Sequence, residues 1–215
     1  NLGNQVFFDI PGLWVKQRGD TAFSRTKSGI TVYAPTPAAA FAAIGCALAS
    51  EATDGEIPVA RRFSSMGLLL DCARNAVAKP ETVKKMICCA ALMGYNYLEL
   101  YVEDCFAVDD EPYFGYMRGR YSKTDLRELD AYGRLFGIEL VPCIQTLAHL
   151  PRIFMHWQPY AAQIQDKADV LLVGEERTYV LIENMIKTCR ECFSSTRINI
   201  GMDEAFHLGQ GKYFE

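Results

Sequence analysis

The sequence lacks the marks of several large classes of protein. Its 22 Lys and Arg residues are outnumbered by 26 Asp and Glu, which gives a net charge of −4, whereas a nucleic-acid-binding domain normally presents a basic face. Neither G-x-G-x-x-G after the first predicted strand nor G-x-x-x-x-G-K-[ST] occurs, so nucleotide-binding folds lose support. Histidines number only three and no H-E-x-x-H pattern is present, which argues against a metal site. The first residues do not form the basic-then-apolar pattern of a signal peptide.

Long apolar runs are also scarce, and the uncharged stretch that is long enough to span a membrane covers 28–50. It contains two prolines and consists mostly of Ala and Thr, so its hydrophobicity is modest. Thr36 followed by Pro37 is the pattern of a helix N-cap. We therefore predict a strand over Gly29–Ala34, a helix over 37–50 and no association with membranes.

What the chain does have is the composition of a globular protein. It is 50% hydrophobic and 22% charged, which supports a full core. Most of its eight cysteines lie in apolar runs and resemble small buried hydrophobic residues. Cys189 and Cys192 could form a redox or zinc pair, but they come late in a helical pattern and no second pair follows at zinc-ribbon spacing. We expect reduced thiols and a cytoplasmic protein.

From Arg62 onward, strand-like and helix-like segments alternate. Apolar runs predict four strands, at 66–70, 97–102, 138–144 and 198–201. Three helices separate them: one over 80–93, one that follows the capping box of Ser122 and Asp125 and ends at Gly137, and one over 176–193. The order βαβαβαβ predicts a parallel α/β sheet, either as a barrel or as an open, doubly wound sheet.

Each of the four predicted strands is followed by polar residues. In chain order these are Asp71 and Arg74, Glu103 and Asp104, Gln145 and His149, and Asp203 and Glu204. In a parallel α/β fold the carboxyl ends of the strands share one face, and ligands bind there. The simpler explanation, that strands end where polarity begins, accounts for one or two of the four cases. We therefore expect a shared site at this face.

The adjacent residues Asp203 and Glu204 have the strongest chemical implication. Neighbouring residues on a strand point to opposite faces, but at a strand end the chain can turn and bring both carboxylates to one ligand. One ionised and one protonated carboxyl group are the means of cleaving a glycosidic bond. Two alternatives remain: a solvated pair in a loop, or a divalent metal bound by Asp203, Glu204, His207 and Asp104. We expect neither a metal nor a cofactor.

The motif that contains this pair resembles the signature of glycoside hydrolase family 20, the β-N-acetylhexosaminidases. That signature is a His or Asn, any residue, Gly, a variable residue and Asp-Glu, and residues 199–204 read N-I-G-M-D-E. Residues 68–74 resemble the family's first barrel strand, which ends in Asp71 and the substrate-binding Arg74.

Further segments extend the resemblance over most of the chain. Residues 142–149 read P-C-I-Q-T-L-A-H and are similar to the family's P-E-I-D-x-P-G-H, with Cys143 and Gln145 in place of its two acids. The intracellular bacterial branch of the family resembles this chain most, because it carries the motifs found here at 101–104, 111–121 and 144–150.

The resemblance implies hydrolysis of terminal, non-reducing β-linked N-acetylhexosamine, GlcNAc or GalNAc, by a substrate-assisted, retaining mechanism without a cofactor. In this mechanism the 2-acetamido oxygen of the sugar attacks the anomeric carbon. Glu204 would be the general acid, and Asp203 would orient the acetamido group and stabilise the charge that develops on it. Arg74 would bind ring hydroxyls through its planar guanidinium group. The residues that would shape the pocket are His149, Glu103 and Asp104.

The resemblance also implies a domain organisation. Residues 1–60, with strands expected at 5–10 and Gly29–Ala34, would end a small α/β domain, and residues 61–215 would be the N-terminal half of a (β/α)₈ barrel, which in full takes about 250 residues. A half barrel leaves strand edges and an apolar face uncovered. We therefore expect a homo-oligomer with little activity of its own, whose partner is a glycan ending in N-acetylhexosamine. The alternative is a non-catalytic sugar-binding or oligomer-forming domain with a decayed site.

Overall fold

The computed structural model of this α/β chain describes residues 10–52, 55–156 and 158–214. Its elements in chain order are β1 Leu13–Gln17, β2 Ala22–Thr26, β3 Gly29–Ala34, α1 Pro37–Ala49, β4 Glu56–Pro58, β5 Gly67–Asp71, α2 Pro80–Leu92, β6 Tyr97–Tyr101, α3 Lys123–Leu135, β7 Glu139–Cys143, α4 Pro151–His156, α5 Gln158–Ala161, β8 Gln165–Lys167, β9 Val170–Leu171, α6 Glu176–Cys192 and a 3₁₀ helix at Lys212–Phe214. The strand predicted over 5–10 lies outside the described residues, except for Ile10.

The first sheet has the order β1-β3-β2-β4. Strand β1 runs parallel to β3, and β2 runs antiparallel to both β3 and β4. Helix α1 packs its alanines against one face of this sheet, with Phe23 and Val32 in the shared core. The helix begins where the sequence predicts, because the side chain of Thr36 accepts a hydrogen bond from the backbone N–H of Ala39.

Sequence reasoning predicted β3 and α1 in this region but missed β1, β2 and β4. Strand β1 is exposed at four of its five positions, and β4 has only three residues. Neither presents the alternation of apolar and polar residues by which a half-buried strand is recognised. Their pairing therefore depends on the neighbouring strands rather than on their own composition.

The second sheet has the order β5-β6-β7. Backbone hydrogen bonds join residues at or just before the starts of the strands, from Asn96 to Met66 and from Glu139 to Asn96. Others join the residues at their ends, from Cys72 to Tyr101 and from Val102 to Cys143. Starts pair with starts and ends with ends, so the three strands run in the same direction, and each lies within two residues of its predicted position.

The strand predicted over 198–201 is wrong as a full strand. It is reduced to one parallel bridge between Cys143 and Asn199. The hydrogen bonds on that side continue past the bridge, from Ile144 N–H to the carbonyl of Asn199 and from Thr146 N–H to the carbonyl of Ile200. Among the described residues, the segment thus forms a single bridge with β7 rather than a ladder.

The contacts within the chain define two compact units. The first unit contains the described residues of 10–68 together with 81–98 and 131–139, and the second unit contains 69–80, 99–130 and the described residues of 140–214. The capping box predicted before α3 is present, since Ser122 Oγ accepts from the N–H of Asp125 and Asp125 Oδ2 accepts from the N–H of Ser122. Helices α4 and α5 and the β8–β9 hairpin were not predicted.

The stretch over 28–50 folds as β3 and α1, as expected. Among the residues that the structure describes, no helix combines the length and the apolar character needed to cross a bilayer.

Candidate functional site

The four polar strand ends converge in part within the second unit. His149, in the segment after β7, places its Nε2 atom 3.6 Å from a carboxylate oxygen of Asp203 and 3.6 Å from one of Glu204. The two acids are thus brought to one imidazole, as the strand-end argument requires. The His149 side chain is 19% exposed, whereas those of Asp203 and Glu204 are 63% and 60% exposed.

A chain of hydrogen bonds connects this cluster to the end of β6. The Tyr101 hydroxyl donates to Glu103 Oε1 at 2.8 Å. Gln145 Nε2 lies 3.2 Å from the Tyr101 hydroxyl oxygen and 3.3 Å from Asp203 Oδ1. Sequence reasoning noted Gln145 only as a missing acid and did not find Tyr101, whose position within an alternating strand resembles that of a core residue.

Glu103 is an acid in an unfavourable environment for charge. Its side chain is buried, and this burial raises its pKa above the ordinary value, helped by the neighbouring Asp104 and opposed by the hydrogen bond from Tyr101. A carboxyl group with a raised pKa retains its proton to higher pH, so it can donate as well as accept a hydrogen bond.

Arg74 lies beside the same tyrosine. Its Nε donates to Asp71 Oδ2 at 2.7 Å, and its guanidinium carbon lies 4.9 Å from the centre of the Tyr101 ring. Burial acts to raise the pKa of Asp71, but hydrogen bonds from the N–H groups of Ala73 and Arg74 outweigh it and leave the pKa below its usual value. The Arg74 side chain is 58% exposed, so part of its guanidinium group faces solvent.

Asp104 does not join the acids of the cluster. It is buried and forms an ion pair with Arg118, whose Nη2 lies 3.1 Å from Asp104 Oδ1. Arg118 also donates to the carbonyl of Ala73 at 2.9 Å. Asp104 therefore contributes to the pocket only indirectly, because it pairs with Arg118, which lines the cleft.

A cleft of about 280 Å³ lies next to these side chains. Its lining is formed by Ala73, Arg74, Glu103, Arg118, His149, Pro151, Arg152 and Asp169. Three of these residues were predicted as site residues. Arg118, Arg152 and Asp169 were missed because they come from loops and from α4, which carry no strand-end pattern.

The metal ligands considered from the sequence are not assembled as a set. Nδ1 of His207 lies 3.5 Å from Asp169, and Asp104 is engaged by Arg118. The described group whose potential ligand atoms lie within 4.8 Å of one another consists of His149, Asp203 and Glu204. Exposed acids commonly approach a histidine in this way without an ion, and we assign no metal to the cluster.

The cysteine pair of α6 is also unsuited to redox or zinc chemistry. Cys189 and Cys192 are free and buried, and burial raises the pKa of Cys189 to about 12. The thiolate, which is the form that reacts or binds zinc, is therefore disfavoured.

Three of the six described non-glycine residues with a positive φ lie at these strand ends. Glu103, His149 and Glu204 have φ angles of 43°, 58° and 51°, in the left-handed region that residues with a Cβ atom rarely adopt. Such conformations cost free energy and persist where the surrounding structure imposes them, most often at functional sites. Three predicted site residues share this property.

Comparison with known proteins agrees with the geometry. The model of glycosyl hydrolase family 20, catalytic domain, matches residues 63–210. Two curated relatives are named Hexosaminidase D: the Bos taurus protein is 25% identical over 127 residues, and the Homo sapiens protein is 27% identical over 127 residues. Each alignment covers 56% of this chain, but only 35% of the bovine and 25% of the human protein.

Solved structures show the same fold. A GH20 exo-β-N-acetylglucosaminidase from Vibrio harveyi, in complex with N-acetylglucosamine, superposes with a TM-score of 0.78 at 17% identity, over 94% of this chain and 39% of that one. The GH20 β-N-acetylhexosaminidase of Streptomyces coelicolor A3(2) superposes with a TM-score of 0.70 at 21% identity, over 90% of this chain and 48% of that one. This chain thus spans less than half the length of these structures. Since the family model matches more than half of it, the chain belongs to glycosyl hydrolase family 20.

Proposed function

We propose that this chain carries the part of a β-N-acetylhexosaminidase active site that supplies the general acid and the group that orients the substrate. The observation that supports this most directly is the convergence of Asp203 and Glu204 on His149 Nε2, at 3.6 Å each. His149 and Arg74 both line the cleft. The proposed reaction removes a terminal β-linked GlcNAc or GalNAc from a glycan.

The proposed mechanism is substrate-assisted and retaining. The carbonyl oxygen of the 2-acetamido group forms a bond to the anomeric carbon while the glycosidic bond breaks. Glu204 gives its proton to the departing oxygen, and the carboxylate of Asp203 orients the acetamido group and stabilises its positive charge. Water then attacks the anomeric carbon, the bond from that carbon to the acetamido oxygen breaks, and the water gives a proton to Glu204. The two inversions leave the product with the β configuration. Every atom comes from substrate, water and these side chains, and no cofactor takes part.

The test is a comparison of leaving groups in Glu204→Gln. General acid catalysis is worth about 10²–10⁴-fold, so hydrolysis of an unactivated disaccharide should fall by that factor, while an activated aryl glycoside should lose much less. Glu183→Gln, on an exposed position of α6, is the matched control and should behave as the unmodified protein. An equal loss on both substrates would show that Glu204 is not the acid.

We further propose that residues 1–60 belong to a small α/β domain and that residues 61–215 are the N-terminal half of a (β/α)₈ barrel. Support comes from the three parallel strands with a fourth segment bridged to β7, and from the partial coverage of the superposed structures. The high exposure of both catalytic carboxyl groups also favours this reading, because a general acid works best in a site that excludes water.

We also propose that the protein self-associates and that it lies in the cytoplasm. The segment after the bridge exposes large apolar side chains, Ile200 at 43%, Met202 at 58% and Phe206 at 73%, and burial of such surface is worth about 25 cal/mol per Å². We expect a homodimer at micromolar concentration by light scattering. A stable monomer of 24.1 kDa would contradict it.

The exposure of the two acids favours a second candidate function, a non-catalytic sugar-binding domain. Binding of N-acetylglucosamine without turnover of aryl glycosides by the full-length protein would select this function. Turnover that depends on Glu204 would exclude it.

A further inference from the structure

The amide of Gln145 occupies a buried position next to the exposed carboxylate of Asp203. Gln145 is 1% exposed, and its Nε2 lies 3.3 Å from Asp203 Oδ1 and 3.2 Å from the Tyr101 hydroxyl oxygen. Asp203 itself is 63% exposed. A carboxylate with so much freedom depends on its few fixed neighbours for its orientation, and the amide is one of them.

The direction of the hydrogen bonds fixes which end of the amide faces Asp203. The Tyr101 hydroxyl donates its hydrogen bond to Glu103, so its oxygen is left as an acceptor, and the oxygens of a carboxylate such as that of Asp203 are acceptors only. The two protons on Nε2 satisfy both. The opposite orientation would place the amide oxygen against two acceptor oxygens, which disfavours it.

Gly201 provides the space in which this amide lies. A Cβ atom at residue 201 would fall 2.6 Å from Oε1 and 2.6 Å from Cδ of Gln145, and 2.3 Å from the carbonyl oxygen of Ile144. The glycine also has a φ of 52°. The glycine of the N-I-G-M-D-E motif is therefore needed for the packing of Gln145 and for the left-handed turn that leads to Asp203.

An ionised acid at position 145 could not donate a hydrogen bond to Asp203, as the amide does. A carboxylate there would lie about as close to Asp203 as the amide does, and two like charges at that distance cannot both remain ionised. The amide donates a hydrogen bond to the Asp203 carboxylate without competing for its proton.

We propose that Gln145 is a positioning residue, whose amide, seated against Gly201 and Tyr101, fixes the carboxylate of Asp203 in the orientation that receives the acetamido group of the substrate. This proposal rests on the proposed function of Asp203. It adds a role for one of the two residues at which the chain departs from the acidic pattern of the family motif.

The experiment is a double-mutant cycle in the full-length protein, with the dissociation constant of a thiazoline inhibitor that mimics the cyclised acetamido group as the readout. Loss of a hydrogen bond to a charged group should weaken binding about 10- to 100-fold in Gln145→Leu. In an Asp203→Asn background the same change should have less than about a twofold effect, because the two residues act through one interaction.

Gln145→Glu keeps the shape of the side chain, so it serves as the second variant if Gln145→Leu does not fold by circular dichroism. It should weaken the inhibitor at least as much as Gln145→Leu. Gln163→Glu is the matched control, because the Gln163 amide donates at 2.8 Å to Glu175 on the surface, and it should leave inhibitor binding unchanged.

The outcomes separate this inference from the proposed function. Equal losses for Gln145→Leu in both backgrounds would show that Gln145 acts only on the fold, and no loss in either Gln145 variant would also overturn the inference while leaving the function in place. If Asp203→Asn itself leaves inhibitor binding and turnover intact, the role of Asp203 fails and the inference fails with it.

Discussion

The two units of the molecule differ in what they bury. In the first unit the core around α1 is apolar, built on alanines with Phe23 and Val32. Every buried polar or charged side chain found among the described residues lies in the second unit: Glu103, Asp104, Glu111, Asp130, Gln145, Thr146, Asp166, Thr178, Thr188 and Ser195. Because burial of a polar group is unfavourable unless it is paired, the second unit depends on specific partners where the first depends on packing.

The same division holds for the backbone. Among the described residues, those other than glycine with a positive φ all belong to the second unit: Glu103, Asp110, Met117, His149, Ala168 and Glu204. Among the described residues, this unfavourable backbone conformation of residues with a side chain thus occurs in the second unit and not in the first. Such departures are expected where a site must hold chemical groups in fixed positions.

The largest expected effect that tests this contrast is the loss of stability when the buried ion pair of the second unit is broken. Glu111 is 1% exposed and accepts hydrogen bonds from Arg177 at 2.8 and 2.5 Å and from Tyr160 at 2.5 Å. Glu111→Ala leaves the charge of Arg177 without its partner and should lower the free energy of unfolding by about 3–5 kcal/mol. Adding Arg177→Met should recover part of that loss in urea denaturation.

The first unit supplies the control. Phe23→Ala should lower the free energy of unfolding by about 3–5 kcal/mol through the cavity that it leaves, and a second truncation, Val32→Ala, should lower it further. The two regions would be stabilised in the same way if Val32→Ala restored stability to Phe23→Ala. The same would follow if Arg177→Met restored none to Glu111→Ala.

A smaller effect tests the strained backbone. At the exposed helical residue Lys85, Gly should be about 1 kcal/mol less favourable than Ala. At Glu204, where φ is 51°, the order should reverse, and Glu204→Gly should be more stable than Glu204→Ala by about 0.5–1 kcal/mol. Thermal unfolding of the two Ala/Gly pairs measures this, and the same order at both positions would contradict the strain at Glu204.

The smallest effect is a difference in the sign of a pH dependence. Burial raises the pKa of Glu103 above 4.5 in the folded protein, so Glu103 favours folding at low pH and this contribution is lost as pH rises through the raised pKa. Glu103→Gln should therefore gain stability relative to the unmodified protein between pH 4 and pH 7.

Glu56 in the first unit should show the opposite slope. Hydrogen bonds from Arg18 lower its pKa below 4.5, so its contribution is present above that value and is lost as pH falls through the lowered pKa. Glu56→Gln should thus be less stable than the unmodified protein at pH 7 and indistinguishable from it at low pH. Denaturation at several pH values measures the free energy of unfolding of both variants relative to the unmodified protein. If this difference changes with pH in the same direction for both, burial does not explain the pH dependence.

Local signals in the chain were sufficient for much of the fold. The N-cap at Thr36 and the capping box at Ser122 mark where α1 and α3 begin, and the apolar runs locate β5, β6 and β7 within two residues. Strands β1 and β4 were missed because most of their side chains are exposed and β4 has only three residues. The segment at 198–201 has the composition of a strand but forms only one bridge, to Cys143, and composition does not reveal how far a pairing extends.

The sequence by itself determined which residue types stand at the strand ends, because helix caps, alternation and the N-I-G-M-D-E motif are properties of neighbours in the chain. Only the tertiary structure decided which of those side chains meet. Asp104 turns to Arg118, 14 residues away, while Gln145 reaches Asp203 across 58 residues. Such pairs depend on which strands lie side by side and on which side chains are buried as a result. Neither can be predicted from short-range patterns in the chain.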